Sequence, residues 1–289
     1  MTESEQLRTL RENIRFLTER GTLSLKQREI CIEQILDRLL PADSPQEIND
    51  AYRALCRQFP ELTAEDRAAF FLRYATLLSG RGELSPEKTF FPADEVADPH
   101  FRGRIALVKN RFNEQAYQML SPSVTGAKEY HVSSFSEACE EVANMRCEYG
   151  VLPVENTRDG RLFGFYGMLD RYELKICAVT SLETDDLRGS TRYALIGRAL
   201  PARIPKSSQW NLEYSVALPV GEFPHDLLSV CDRFSAKLLK VDSLPVQYDD
   251  QLHRFYFTFQ VSKDAAVGYH LYCTQVHTRY TPIGLYPIL

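Results

Sequence analysis

Ligand motifs for metals are absent from this sequence. Its seven cysteines (Cys31, Cys56, Cys139, Cys147, Cys177, Cys231 and Cys273) form no Cys-x-x-Cys, and no two histidines stand at ligand spacing. Zinc and dithiol redox chemistry are therefore not expected, and neither is any metal or cofactor. Scattered cysteines, odd in number, read instead as buried thiols in a reducing compartment. A basic block is absent too: the net charge is −5, and no stripe of Lys and Arg favours nucleic acid or an anionic membrane as partner. No apolar run approaches membrane-spanning length, and Met1–Gln6 carries neither the basic segment nor the apolar core of a secretory leader. The expected location is cytoplasmic.

What is present is a chain of 289 residues with ordinary apolar and charged fractions, enough for two or three domains with their own cores. Residues 1–82 read as a helical domain. Leu7, Leu10, Ile14 and Leu17 repeat at helical spacing, and Ser24 with Gln27 opens a second helix bearing Ile30, Ile35 and Leu39. Pro45 and Glu47 after Ser44 mark a third, which buries Ile48, Tyr52 and Leu55, and Thr63 caps a fourth carrying Phe70, Phe71, Tyr74, Leu77 and Leu78. Residues 83–103 hold Pro86, Pro92 and Pro99 without lasting periodicity and read as a linker.

From Arg104 strands and helices alternate, the pattern of a mostly parallel α/β sheet. Strands are expected at Ile105–Val108, Glu129–Val132, Leu174–Val179 and Arg192–Ile196, with helices at 113–120 and from Ser134 or Ser136 to Cys147. The most informative stretch is Tyr149-Gly-Val-Leu-Pro-Val-Glu-Asn156, an apolar strand running into a polar loop of Glu155, Asn156 and Thr157 before Gly160. Residues 201–209 form a second linker, and 210–289 read as strand, helix, strand, strand: Asn211–Leu218, 223–234, Leu238–Val241 and Arg254–Val261.

Tyr149-Gly-Val-Leu-Pro-Val-Glu-Asn-Thr157, with Gly160, Met168-Leu169 and Ser190-Thr-Arg-Tyr193, resembles the prephenate dehydratase family, whose pattern is Tyr-Gly-Val-x-Pro-Ile-Glu-Asn-Ser/Thr followed later by Thr-Arg-Phe. The resemblance implies a Rossmann-like dehydratase lobe at 104–200 and an ACT-like, ferredoxin-type regulatory domain at 210–289. For the second unit it rests on Val220-Gly-Glu-Phe223, Asp242-Ser-Leu-Pro245 and the closing Ile283-Gly-Leu-Tyr-Pro287. The fold class expected is thus multidomain: a helical bundle, a single α/β lobe and an α+β unit.

By the same resemblance, Thr191 is the proton donor for the hydroxyl that leaves prephenate, Arg192 an anion contact, and Glu155, Asn156 and Thr157 line the substrate cleft. Gly221, Glu222, Asp242 and Ser243 would bind an amino acid, phenylalanine in the family, between two copies of the ACT-like domain in a homodimer or higher oligomer.

Three departures change what the lobe can do. Lys109-Asn-Arg-Phe-Asn-Glu114 replaces the family's glycine- and hydroxyl-rich loop, Ala178-Val179 replaces its Gly-Glu, and residues 157–190 are too few to hold the second lobe that supplies half of the cleft. A degenerate, regulatory or amino-acid-sensing form is expected, with Glu155 and Asn156 closing a turn and Arg192 paired to Asp185 or Asp186. An active dehydratase using Thr191 is the alternative. Chorismate mutase chemistry built on Arg8, Arg11, Arg15, Arg28 and Arg38 of the helical domain is a second alternative.

Overall fold

The computed structural model describes residues 45–60, 62–80 and 99–289, apart from 159, 184–188, 207–208, 247–248 and 277–278, together with residues 8, 9, 12, 30, 33, 34, 37, 85 and 89–91. Apart from those few residues, the helices read around Leu7–Leu17 and Ile30–Leu39, and most of the linker at 83–103, fall outside the described residues. Helices α1 (Pro45–Gln58) and α2 (Ala64–Gly80) follow the sequence signals. Thr63 and Asp66 form a reciprocal cap: Thr63 N donates to Asp66 Oδ2 at 2.8 Å, and Asp66 N donates to Thr63 Oγ1 at 3.3 Å.

The next segment runs β1 (Arg104–Val108), α3 (Arg111–Leu120), β2 (Lys128–Val132), α4 (Phe135–Ala143), β3 (Tyr149–Asn156), β4 (Gly160–Arg161), α5 (Phe163–Tyr172), β5 (Lys175–Glu183) and β6 (Ser190–Gly197). Asn110 starts α3 two residues earlier than expected, because its side chain accepts from Asn113 N at 2.9 Å. Helix α4 stops short of Cys147. Met145 turns left-handed at φ 58°, and Glu141 O collects the N–H groups of both Arg146 and Cys147.

The C-terminal segment runs β7 (Trp210–Pro219), α6 (His225–Ser229), β8 (Lys237–Val246), β9 (Asp249–Gln260), α7 (Lys263–Val276) and β10 (Tyr280–Pro287). The helix expected over 223–234 is two short pieces, α6 and a 3-10 turn at Cys231–Phe234.

All strands join one sheet in the order β2-β1-β3-β6-β5-β10-β7-β9-β8, with β4 added to the end of β3. Strands β2, β1 and β3 are parallel, whereas β6 runs antiparallel to both β3 and β5. The last four strands are antiparallel in the order β10-β7-β9-β8, which with α6 and α7 makes the split βαββαβ arrangement. The seam between the two halves is narrow. Strand β10 meets β5 in parallel through Gly284 and Ile176, extended by a bridge between Val179 and Ile288.

Each face of the sheet is covered. On one, α3 supplies Ala116 and Leu120, α7 supplies Tyr269 and Tyr272, and α2 packs over α7, with Phe71 edge-on to Tyr272 at 6.2 Å. On the other, α4 and α5 bury Cys139, Val142, Phe165 and Leu169 against Leu152, Ile176 and Ile196. The core thus runs without interruption from the first half into the second.

Gly284 is the tightest point of the seam, since an added Cβ would lie 2.5 Å from Ile176 O. Gly284→Ala is expected to destabilise the protein by about 1–3 kcal/mol through overpacking. Gly164→Ala in α5, with open space around it, should be neutral or mildly stabilising. Urea unfolding of both variants checks the pair.

Candidate functional site

Glu155, Asn156, Thr157, Thr191 and Arg192 do come together, at one end of β3 and β6. Glu155 lies opposite Arg192, and Asn156 opposite Thr191. Strand β3 continues through Glu155 and Asn156, where the sequence suggested a loop, because β4 and β6 offer backbone partners on its two sides. A bulge falls between Pro153 and Glu155. It places Pro153 where a missing N–H is tolerated and shifts the parity of everything after it.

Tyr193 and Leu195 belong to the core beneath α3, while Ala194 and Ile196 belong to the core beneath α4 and α5. Alternation along β6 therefore sends Thr191 to the first face and Arg192 to the second. On the first face, Asn156 Nδ2 donates to Thr191 Oγ1 at 2.9 Å, and just past the end of β3 Thr157 Oγ1 accepts from Ser190 N at 2.9 Å. On the second, Arg192 lies 3.5 Å from Glu155. Asp185 and Asp186, the acids expected to hold Arg192, lie outside the described residues, and Glu155 has that role.

The second face holds an ion cluster. Lys240 donates to Glu155 Oε1 at 2.7 Å and lies 3.8 Å from Asp242. Asp242 Oδ2 accepts from Arg161 Nε at 2.5 Å, and Arg161 is paired with Glu213 through Nη1. The side chains of Arg161 and Glu213 are 1% and 3% exposed, so they neutralise each other away from water. Tyr166 and Tyr286 hydroxyls each donate to Glu213 at 2.6 Å, and Arg161 Nη2 donates to Thr258 Oγ1 at 2.5 Å.

Burial opposes the charge on Arg161, but Glu213, the two tyrosine oxygens and Asp242 outweigh it and raise its pKa further. Burial likewise pushes Glu155 up, and Lys240 with Arg192 and Arg161 brings it below the ordinary carboxylate value. Three cations, Arg161, Arg192 and Lys240, face three carboxylates, Glu155, Glu213 and Asp242.

The remaining expected residues fall elsewhere. Lys109–Glu114 forms the bend after β1 and the capped start of α3, while Ala178 and Val179 are buried in the middle of β5. Gly221, at φ 91°, and Glu222 sit on the exposed turn after β7. Ser243 pairs with Phe255, whose ring meets Phe223 edge-on at 5.4 Å, so Gly221, Glu222 and Ser243 share one surface. Asp242 is on the opposite face, held by Arg161.

Sequence reasoning missed Arg161, Glu213 and Lys240. Glu213 alone carried a signal, as the one acid in the otherwise uncharged strand Trp210–Pro219. Among the described residues no group of His, Cys, Asp and Glu could hold a metal, and no helix is long and apolar enough to cross a membrane.

The prephenate dehydratase family model matches residues 109–186, from the end of β1 to just beyond β5. Over that stretch the chain resembles the prephenate dehydratases. Glu155, Asn156 and Thr157 lie inside that match, and Thr191 and Arg192 just beyond it. The fold agrees. Prephenate dehydratase from Streptococcus mutans superimposes with a TM-score of 0.54 at 18% identity, covering 64% of this chain and 98% of that one. GqqA, described as a novel type of quorum-quenching acylase, superimposes at 0.50 and 14% identity over 64% of this chain and 94% of its own. No curated protein matches the chain in sequence.

Removing one member of the buried pair strands the other. Arg161→Met is expected to cost about 3–5 kcal/mol, and Arg161→Met with Glu213→Leu to recover most of that loss. Urea titration of the single and double variants tests this.

The lowered pKa of Glu155 gives a pH signature. Its contribution is present above the unfolded carboxylate value and is lost as pH falls through the folded one. Glu155→Gln should therefore flatten the acid limb of a stability-versus-pH curve and leave the alkaline limb unchanged.

Proposed function

We propose that this chain is a dehydratase relative of aromatic amino acid metabolism that does not turn over prephenate and acts instead as a self-associating, amino-acid-responsive protein. The observation that carries this reading is the charge-matched cluster around Arg161. Prephenate is a dianion whose carboxylates need unspent positive charge, and Arg161, Arg192 and Lys240 are each already opposed by a carboxylate. The split of Thr191 and Arg192 onto opposite faces also supports it, since a proton donor and its anion contact have to reach one substrate. Fold likeness does not choose an activity, because the proteins that share this fold are described with different ones.

In the proposed layout the helical segment 1–82 precedes the dehydratase-like lobe 104–200, and residues 210–289 act as the ACT-like unit. Self-association would use the edge strand β8, where Leu239 and Val241 are 46% and 42% exposed. Gly221, Glu222 and Ser243, grouped around Phe223 and Phe255, would receive phenylalanine at that interface.

The active dehydratase is the second reading. One observation favours it: Asn156 donates to Thr191 Oγ1, which leaves the threonine proton for another acceptor. Mutase chemistry has no comparable support. Arg8 pairs with Glu12 on an exposed face, and the other arginines of that set lie outside the described residues.

Phenylpyruvate formation from prephenate, followed by absorbance at high protein concentration, should be absent. Calorimetry with L-phenylalanine should show saturable binding that weakens about tenfold or more in Gly221→Val, which strains a left-handed turn. Turnover that disappears in Thr191→Ala would replace this reading with the enzymatic one.

A further inference from the structure

A cavity of about 630 Å³ opens at the end of β5 and β6 opposite to Thr191, between α5, the start of β5 and strands β7, β9 and β10. Its position makes it independent of the ion cluster, although Tyr166 forms part of the wall between the two. Its lining combines apolar Phe90, Phe91, Tyr256 and Ile283 with the charged Lys175, Asp170, Glu173, Arg198 and Arg254.

Lys175 is the unusual member. Its ammonium donates to Pro282 O at 2.5 Å, and no carboxylate of the described residues forms an ion pair with it. Burial pushes its pKa down, and Asp170 and Glu173, which act from a distance, offset this only in part. A lysine held this way has two N–H donors left over and an uncompensated cost of burial, and both are relieved by an anion placed in the cavity. The other ionic groups on the wall leave that role open. Arg254 faces Asp170 at 3.7 Å, and together Lys175, Arg198 and Arg254 outnumber Asp170 and Glu173.

We propose that this cavity is a binding site for a small monocarboxylate with an aromatic or branched apolar body, its carboxylate paired with Lys175 and its body packed against Phe90, Tyr256 and Ile283. The volume is in the range of small-molecule sites. Lys175 belongs to β5, whereas Pro282 and Ile283 belong to β10, so the ligand bridges the narrow seam between the two halves of the sheet. Binding therefore stabilises the fold as a whole, by an amount that rises with the logarithm of ligand concentration above Kd.

The test is calorimetry and thermal unfolding of the full chain with 3-phenylpropionate, set against 3-phenylpropionamide and 2-phenylethylamine. Saturable binding and a rise in Tm with the acid alone are expected, with affinity reduced about tenfold or more in Lys175→Met, the loss of one charge-assisted hydrogen bond. Ile283→Trp, which fills the cavity from its apolar lining and keeps Lys175, should abolish binding and serves as the test if Lys175→Met does not fold. Gly221→Val, which disables the proposed phenylalanine site, should leave this binding intact. Absence of any response to the acid at about 5 mM, equal binding of the amide, or unchanged affinity in Lys175→Met would each overturn the proposal.

Discussion

A guanidinium sealed from water must be neutralised where it stands, and Arg161 is surrounded by residues from five other elements. Glu213 comes from β7, Asp242 from β8, Thr258 from β9 and Tyr166 from α5, while Tyr286 of β10 holds Glu213 from its far side. Lys240 carries the chain of charges on to Glu155 in β3 and, through it, to Arg192 in β6. Every one of these elements has to be in register for the charge to be matched. Such a cluster adds little net stability over an apolar filling, but the loss of one member is severe. Its consequence is positional. The C-terminal half is tied to the first half by ions at one end of the sheet and by the close approach of Gly284 to Ile176 within it.

The bulge in β3 decides which residues enter that cluster. Were the strand regular through Val154, alternation would send Glu155 toward α3 and Asn156 toward Arg161. With the bulge, an acid faces Lys240, and a neutral amide faces the Thr191 hydroxyl. Pro153 helps to set the place of this irregularity, since it can give no N–H to a ladder and sits beyond the residues of β3 that pair with β1. A local feature of one strand thus fixes the electrostatics of a site built from seven strands.

Much of the fold was legible where periodicity and caps speak. The strands of 104–200 and the capped starts of α2 and α4 follow from apolar runs and from Thr63 and Ser134. What was not legible depended on pairing between distant segments. Glu155 and Asn156 read as loop residues because nothing local shows that β4 and β6 will flank them. Helix α7 gave no amphipathic stripe: residues Ala266–His270 are all buried, covered by α2 on one side and by the sheet on the other. Arg161 stood in a two-residue strand with no motif around it, and its partners lie 52 or more positions later, apart from Tyr166. The expected site residues were found together, but the parity that divides them between two faces was hidden in the bulge.

Strand β8 connects the outer surface to this interior. Its inward positions, Lys240, Asp242 and Leu244, meet the charges and the core around Arg161, whereas Leu239, Val241 and Ser243 face outward along an unpaired edge. Because the two rows share one backbone, a shift of the strand that moves the outer row moves the inner one with it. In the proposed reading, a second copy or a ligand settling on the edge would act on Lys240 and Asp242, and through them on Glu155 and Arg192. The residues that resemble a catalytic pair stand at the far end of a chain of charges that begins at this exposed edge. Under that proposal this end of the sheet would register binding at its edge, and three cations already matched by three carboxylates would leave no unspent charge for a dianionic substrate.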